Sequence, residues 1–248
     1  MVFALIVATM GATQSTLSQA RKLSKYTPVG YVDASNGVAY QLVGNQVQPA
    51  KPDFNALCHL PGVAPFLYVT SAAGAKLAAR SAIESTAELV IVSVCDAKTC
   101  ADINRLVNKH ASITHRAFVV ANDDYNISPF DFVMTFYVHA RNLAVVLQDQ
   151  NKSVVVHCVM GMNRSCTAIV LAQILLGRKD VKNVVAYLKQ VNKRTRLEVL
   201  ENQAFVDNLV LFGEFAMLYG PSRDTTLKSL ATRFASFCRA KASIPIYY

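Results

Sequence analysis

The fold is decided by residues 156–165, which read VHCVMGMNRS. The short apolar run 154–156 leads into this stretch, and a helix-forming run over 165–176 follows it. A loop between a buried strand and a helix points successive backbone N–H groups into one concavity, where the helix dipole adds positive potential. An anion of phosphate size fits such a concavity. The stretch therefore predicts an α/β fold with an anion-binding loop at a strand-to-helix junction.

The side chains of this loop suit attack on a phosphate. The positive potential favours the thiolate of Cys158, and a thiolate is a strong nucleophile. The planar guanidinium of Arg164 can hold two phosphate oxygens at once, which an ammonium cannot do. Gly161 lets the backbone turn where a Cβ would obstruct the concavity. Ser165 can donate a hydrogen bond to the leaving sulfur, and His157 is expected to order the loop through backbone hydrogen bonds.

A proton donor must face the loop, because the leaving oxygen of a phosphate ester needs a proton. The polar segment 121–128 (ANDDYNIS) lies between a predicted strand and a predicted long helix. Asp123 precedes Cys158 by 35 residues and would lie above it if their strands are neighbours in the sheet. Asp124 is the competing acid. In a third interpretation, both carboxylates only cap the helix.

Strands and helices alternate along the central part of the chain. This alternation predicts an α/β domain with a central, mostly parallel sheet flanked by helices on both faces. The predicted strands are 66–70, 88–95, 116–121 and 154–156, and the predicted helices are 72–83, 128–148, 165–176, 181–190 and 202–219.

Three regions are predicted from the pattern. Residues 1–60 form an N-terminal extension with a short helix, a hairpin around Asn36-Gly37 and a proline-containing linker over 44–65. Residues 61–220 form the catalytic domain. Residues 221–248 are predicted to be a basic C-terminal tail.

Composition limits the class of protein and its compartment. The chain has 248 residues, of which 52% are hydrophobic and 17% charged, so it is too apolar for a disordered chain. The six cysteines form neither a disulfide framework nor a zinc-binding spacing, which predicts no metal site and a reducing, cytoplasmic compartment. No uninterrupted apolar run reaches the roughly 20 residues of a membrane span.

Positive charge is concentrated in one segment. The net charge is +9, and residues 178–196 hold seven basic residues and one acidic residue. Such a surface attracts phosphoproteins, nucleic acid or acidic lipid. Arg194 and Arg196 are candidates for a second anion site, and a solvated helix face is the alternative that composition favours.

The HCVMGMNRS loop resembles the signature of cysteine-dependent protein phosphatases, most closely the small atypical dual-specificity type that includes enzymes of large DNA viruses. The segments LYVTSAAGA, AND and NIS, and Glu201-Asn202 with Phe205, are also similar, so the resemblance covers about residues 60–220. It implies Cys158 as nucleophile, Arg164 as phosphate clamp, Asp123 as acid and base, and Ser165 as helper.

The resemblance further implies phosphoprotein substrates and no metal or other cofactor. The phosphate-binding loop would consist of Val159, Met160, Gly161, Met162, Asn163 and Arg164. Some viral relatives dimerise through an N-terminal helix, which suggests a homodimer through residues 12–27, with an ordinary packing helix as the alternative. A viral chain would act in the cytoplasm or nucleus of the host cell.

Related activities are weighed by single residues. Tyrosine-specific phosphatases carry their acid in a Trp-Pro-Asp loop, and this chain has no Trp. Phosphoinositide phosphatases often place Lys inside the loop, and none is present here. RNA 5′-triphosphatases often have Asn before the Arg and Thr after it. Asn163 fits that pattern and Ser165 fits it less well, so RNA remains the alternative substrate.

Two further interpretations concern binding and redox protection. A pseudophosphatase that binds phosphoproteins without cleaving them usually lacks the Cys or the Arg, and both are present. Cys95 and Cys166 are candidates to lie near Cys158, where a disulfide would protect the nucleophile from over-oxidation. Buried thiols are the favoured alternative.

Overall fold

The structure is a computed structural model. It describes residues 31–33, 38–43, 46–50, 57–60, 63, 64, 66–86, 88–120, 123–149, 152–161, 163–177, 184–186, 188, 200–220 and 226–243. Several sequence-based predictions lie outside these residues. They are the N-terminal helix, the dimerisation segment 12–27, Met162, most of the helix over 181–190, and the pair Arg194 and Arg196.

Eight strands form one sheet in the order β3-β2-β1-β4-β5-β8-β6-β7. The strands are β1 (Tyr31–Asp33), β2 (Val38–Val43), β3 (Gln46–Ala50), β4 (Leu57–His59), β5 (Leu67–Thr70), β6 (Leu89–Cys95), β7 (Ile113–Val119) and β8 (Ser153–His157). Strands β1 and β2 pair antiparallel across Asn36-Gly37, where a hairpin is predicted.

The part of the sheet that positions the site is parallel. Strand β8 lies between β5 and β6, and β7 continues beyond β6, all in the same direction. His157, the last residue of β8, is level with Thr70 on β5 and Ser93 on β6. The carboxyl ends of these strands therefore meet at one edge of the sheet, and the segments that follow them converge there.

Helices cover both faces of the sheet, as predicted. They are α1 (Ala72–Ser85), α2 (Ala97–Val107), α3 (Pro129–Gln148), α4 (Arg164–Leu175), α5 (Gln203–Tyr219) and α6 (Leu227–Ala242). Helices α1 and α2 pack with Ile91 and Val155 on one face, while α3 to α6 pack with Val92 and Val156 on the other. Neighbouring strand residues point to opposite faces, so both layers need apolar strand residues.

Helix starts are specified locally. In five of these six helices, a polar residue before the first turn accepts a hydrogen bond from a backbone N–H three residues later, which satisfies an otherwise unpaired donor. These residues are Ser71, Asp96, Ser128, Asn202 and Thr226. Helix α4 differs, because Asn163 makes no side-chain cap. The N-terminus of α4 faces the loop that follows β8.

The structure differs from the prediction at both ends of the central region. The predicted linker over 44–65 contains β3 and β4, and β4 pairs with β5 across the boundary proposed at residue 60. The predicted basic tail contains α6, whose Phe234 is fully buried. The apolar face of α6 packs into the core. Residues 226–243 are therefore a packed helix with a basic outer face, and not a tail.

Helix α3 meets the length and composition of a membrane span, which the apolar runs alone did not predict. Within the part of the chain that the structure describes, it is the one helix that does. Its Phe132, Phe136 and Leu143 are fully buried against the other helices. A core helix passes the same test of length and composition.

Candidate active site

The predicted anion-binding loop lies at the carboxyl edge of the sheet. Strand β8 ends at His157, Cys158 follows at once, and α4 begins at Arg164. The backbone N–H of Ala72 donates to the carbonyl of Val159 at 3.0 Å, which ties the loop to the first residue of α1. A strand-to-helix junction of this kind directs backbone N–H groups and the positive end of the helix dipole at one point.

The sulfur of Cys158 lies within this loop, and the residue is only 2% exposed. The backbone N–H of Gly161 donates to its Sγ at 3.2 Å. The hydroxyl of Ser165 donates to the same sulfur at 3.7 Å. Both donors favour a negative charge on sulfur, so the surroundings suit a thiolate at the bottom of the loop.

Gly161 is required by the close approach of β5. Its φ is +77°, and a Cβ there would lie 2.4 Å from both the carbonyl carbon and the carbonyl oxygen of Thr70. The same Cβ would lie 2.8 Å from the nitrogen of Ser71. The end of β5 therefore packs directly against the loop, and this contact sets the position of the N–H that faces Cys158.

Arg164 is buried beside the loop and points toward the end of β7. Its Nη1 donates to the carbonyl of Val120 at 2.8 Å, and its Nε lies 4.0 Å from Oδ1 of Asp123. The contact to a backbone carbonyl fixes the guanidinium plane. The structure thus places the carboxylate of Asp123 next to the guanidinium of Arg164, the first residue of α4.

The two candidate acids face different surroundings. Asp123 is partly buried and accepts a hydrogen bond from the Asn163 side chain at 3.1 Å. Asp124 is exposed, and its carboxylate accepts from the backbone N–H of Asn126 at 2.8 Å. Asp123 therefore contacts the loop, whereas the carboxylate of Asp124 stabilises a local turn.

A third carboxylate, Asp96, was not among the predicted site residues. It follows β6 at the same edge of the sheet and caps α2 by accepting from the N–H and the hydroxyl of Thr99, at 2.9 and 2.8 Å. These hydrogen bonds lower the pKa of Asp96, with a smaller contribution from the positive charge of Arg164. The carboxylate of Asp96 is therefore committed to the cap of α2.

His157 is fully buried and contacts the backbone of the loop at Cys158. Its Nδ1 lies 3.1 Å from the carbonyl of Cys158, so Nδ1 carries the proton and Nε2 accepts from the hydroxyl of Ser93 at 2.6 Å. Ser93 also lies 2.8 Å from Nε2 of His115 on β7. Burial lowers the pKa of His157 to about 4, so the imidazole is neutral at pH 7.

Sequence reasoning missed the part played by Ser93. The signal was present, because Ser93 is the one polar residue in the apolar run of β6 (LVIVSVC). A buried hydroxyl needs a partner, and the parallel register places it level with His157.

The neighbouring cysteines are thiols rather than disulfides. Cys95 and Cys100 form a buried cluster with Cys158, and their two sulfurs are 3.6 Å apart. The hydrogen bond to Cys100, followed by burial, raises the pKa of Cys95. Burial raises the pKa of Cys166, and the nearby sulfur of Cys158 raises it further. Both candidates for a protective disulfide are therefore buried free thiols.

The mouth of the loop carries apolar side chains. Val159 and Met160 are 40% and 47% exposed, although they adjoin a site for an anion. Of the described residues, no three or more His, Cys, Asp or Glu are grouped so that they could hold a metal ion.

The chain is similar to known proteins in structure and not in overall sequence. No family model and no curated protein matches the sequence. Among solved structures, OH1 from Orf virus, a tyrosine phosphatase, is 20% identical, with 59% of this chain and 81% of that chain covered and a TM-score of 0.40. Human DUSP28 is 17% identical, with 68% and 99% covered and a TM-score of 0.45.

A third similar structure is the human tyrosine phosphatase-like serine/threonine/tyrosine-interacting protein, which is 16% identical over 62% of this chain and 95% of that chain, with a TM-score of 0.44. These structures are dual-specificity and tyrosine phosphatases or similar to them, the group that the loop sequence resembles.

Proposed function

We propose that the chain is a cysteine-dependent protein phosphatase that hydrolyses phosphoserine, phosphothreonine and phosphotyrosine through a cysteinyl-phosphate intermediate. One observation carries the proposal. The Cys158 sulfur accepts hydrogen bonds from Gly161 and Ser165 at the N-terminus of α4, where Nε of Arg164 also lies 4.0 Å from Oδ1 of Asp123. Nucleophile, anion-binding donors and a carboxyl group thus meet at one point.

In the first step, the thiolate of Cys158 attacks phosphorus in line with the leaving oxygen. A sulfur–phosphorus bond forms as the phosphorus–oxygen bond breaks, and the carboxyl group of Asp123 gives its proton to the leaving oxygen. Backbone N–H groups of the loop and the guanidinium of Arg164 stabilise the charge on the transferring group. Most of the rate enhancement then comes from positioning and electrostatics.

In the second step, water attacks phosphorus and gives a proton to the carboxylate of Asp123. The sulfur–phosphorus bond breaks, and inorganic phosphate leaves. The sulfur departs as a thiolate, which the hydrogen bonds from Ser165 and Gly161 stabilise. Asp123 is again protonated, so the same two groups serve both half-reactions.

Asp123 is the better choice of acid on contacts alone. It reaches Asn163 and Arg164 beside the loop, whereas the Asp124 carboxylate is already committed to the N–H of Asn126. A phosphate group bound by Arg164 would give the guanidinium a second anionic partner. The carboxyl group of Asp123 would then face the leaving oxygen.

The loop favours phosphoproteins over the RNA alternative. Asn163, the residue that suggested RNA 5′-triphosphates, is 2% exposed and bonds to the protein interior. The exposed side chains at the mouth, Val159 and Met160, are apolar and suit the side chains that flank a phosphorylated residue better than a second phosphate.

The test is phosphate release by wild type and Cys158→Ser from a peptide carrying phosphothreonine and phosphotyrosine, with metals chelated. We expect peptide turnover in wild type and none in the variant. Cys238→Ser, a nearly buried thiol on α6, is the matched control and should retain turnover. Triphosphorylated RNA is assayed in parallel. Turnover of RNA alone, or appreciable peptide turnover in Cys158→Ser, would contradict the proposal.

A further inference from the structure

Asn163 is buried at the meeting point of three segments that are distant in sequence. Its side-chain N–H group donates to Oδ2 of Asp123, 40 residues earlier, at 3.1 Å. Its side-chain oxygen accepts from the backbone N–H groups of Glu201 and Asn202 at 2.8 and 3.0 Å. One amide thus connects the segment that carries the candidate acids (residues 123–128, the acid segment), the phosphate-binding loop and the start of α5.

The chemistry of this position is specific. The side chain must accept from two N–H donors on one side and donate to a carboxylate on the other. An amide does both, whereas a carboxylate can only accept, and a hydroxyl is too short to span the same groups. Asn163 also makes no cap for α4, so its side chain has no part in starting the helix that follows it.

A second asparagine ties the same segments from the other side. Asn202 caps α5 by accepting from the N–H of Phe205, and its side chain donates to the carbonyl of Asp124 at 3.1 Å. The acid segment is therefore held at two adjacent residues, through the side chain of Asp123 and the backbone of Asp124. Both ties lead to the first residues of α5.

We propose that Asn163 is a positioning residue that holds the carboxyl group of Asp123 beside the phosphate loop before substrate binds. This inference rests on the proposed role of Asp123 as the acid. Oδ2 accepts the amide N–H, and Oδ1 lies on the side of Arg164, so both oxygens of the carboxyl group have a neighbour at the start of α4. The carboxyl group is thereby oriented by contacts that already exist without substrate.

Asn163→Asp separates this role from a purely structural one. The new side chain keeps an acceptor for the two N–H groups of Glu201 and Asn202 and loses the donor to Asp123. We expect kcat/KM to fall on the order of 10- to 100-fold for a phosphotyrosine peptide, whose leaving oxygen needs a proton. The comparison is made on kcat/KM, which reports the first phosphoryl transfer and not the later hydrolysis of the cysteinyl-phosphate. For a fluorinated umbelliferyl phosphate, whose leaving group needs no proton, the fall in kcat/KM should be much smaller.

Two comparisons sharpen this experiment. Asn142→Asp, at an exposed position on α3, adds the same charge away from the buried edge and should leave both rates unchanged. In an Asp123→Asn background, Asn163→Asp should cause little further loss, because both changes remove one function. Equal losses on the two substrates, or losses that multiply in the double variant, would overturn the proposal.

A stability cycle tests the contact without using activity. Asn163→Asp places two carboxylates together and should lower the urea midpoint. Adding Asp123→Asn restores an amide–carboxylate pair in which residue 123 donates and residue 163 accepts, and it should recover the midpoint. Turnover of the peptide should stay low in that double variant. Additive midpoint shifts would show that the contact is absent. If wild type has no Cys158-dependent turnover, the proposed function fails, and this cycle still decides whether Asn163 holds Asp123.

Discussion

At the scale of single residues, Gly161 combines a left-handed backbone with a contact that leaves no room for a side chain. Gly177 has a similar φ, +81°, but nothing lies within 4 Å of the Cβ that would be added there. A substitution at Gly177 therefore introduces backbone strain alone, whereas a substitution at Gly161 introduces strain and a steric clash. Strain alone costs about 1–2 kcal/mol, and overpacking adds about 1–3 kcal/mol.

We expect Gly161→Ala to lower the free energy of unfolding by about 2–5 kcal/mol and to abolish phosphate release. Gly177→Ala should cost only about 1–2 kcal/mol and retain activity. Urea unfolding and phosphate release from the peptide measure both quantities. Equal effects of the two substitutions would mean that Thr70 does not press against the loop.

The two aspartates give a second matched pair at this scale. Asp123→Asn should lower kcat by roughly 10²–10⁴ on the phosphotyrosine peptide, because the amide cannot give a proton. Asp124→Asn should change kcat little, since the amide oxygen can still accept from the N–H of Asn126. Rates measured on the same peptide decide between them, and the reverse order would make Asp124 the acid.

At the scale of secondary-structure elements, a polar bridge crosses three neighbouring strands. It runs from His115 on β7 through Ser93 on β6 to His157 on β8 and ends at the carbonyl of Cys158. Its members are buried or partly buried among apolar residues, so the bridge stays intact only while His157 is neutral. Burial also lowers the pKa of His115.

This bridge predicts a loss of stability in mild acid. The pKa of His157 is about 4 in the folded protein and about 6.5 in the unfolded chain, so only the unfolded chain takes up a proton between these values. Stability from this group is complete above pH 6.5 and falls as the pH drops to about 4, by about 3 kcal/mol. Urea unfolding of wild type and His157→Gln across this range measures it. An equal decline in both would contradict the assignment.

Elements with a strong local pattern were predicted from sequence. Helix α3 begins at Pro129 after the cap Ser128, and β6, β8 and α4 lie within a residue or two of their predicted bounds. Helix α2 was not predicted, although Asp96 is a cap and Cys100, Ile103 and Val107 are buried at helical spacing. The polar residues of its outer face separate these buried residues in the sequence, so the helical spacing was not recognised.

The site was predicted in part for a related reason. Cys158, Arg164 and Ser165 lie within eight residues, so a local motif shows them. The choice of Asp123 and the role of Asn163 depend on partners about 40 residues away, which no local pattern reports. Strands β3 and β4 were taken for a linker because their pairing also comes from distant segments.

At the scale of the whole molecule, α6 completes the core that α3 and α5 begin. Phe234 meets Phe212 edge to face at 5.2 Å between ring centroids and lies 5.7 Å from Phe215. Lys241 pairs with Glu214 at 3.0 Å across the same two helices. The last described helix is thus part of the folded unit that holds the site.

We expect Phe234→Ala to lower the free energy of unfolding by about 3–5 kcal/mol, because it leaves a cavity between α5 and α6. Phe237→Ala, at a half-buried position on the same helix, should cost clearly less. Urea unfolding of the full chain measures both. A fragment ending at residue 220 should expose the apolar face of α5 and unfold at lower urea, and equal midpoints for fragment and full chain would refute the packing.

The tie between Asn163 and the start of α5 has a consequence for how the protein is made. Translation adds residues in order, and the side-chain oxygen of Asn163 lacks both of its backbone partners, just before α5, until residues 201 and 202 have been added. Some 40 residues are therefore added after Cys158 before the site is complete. Activity recovered in a refolding experiment should likewise follow the docking of α5, not the earlier formation of the central strands.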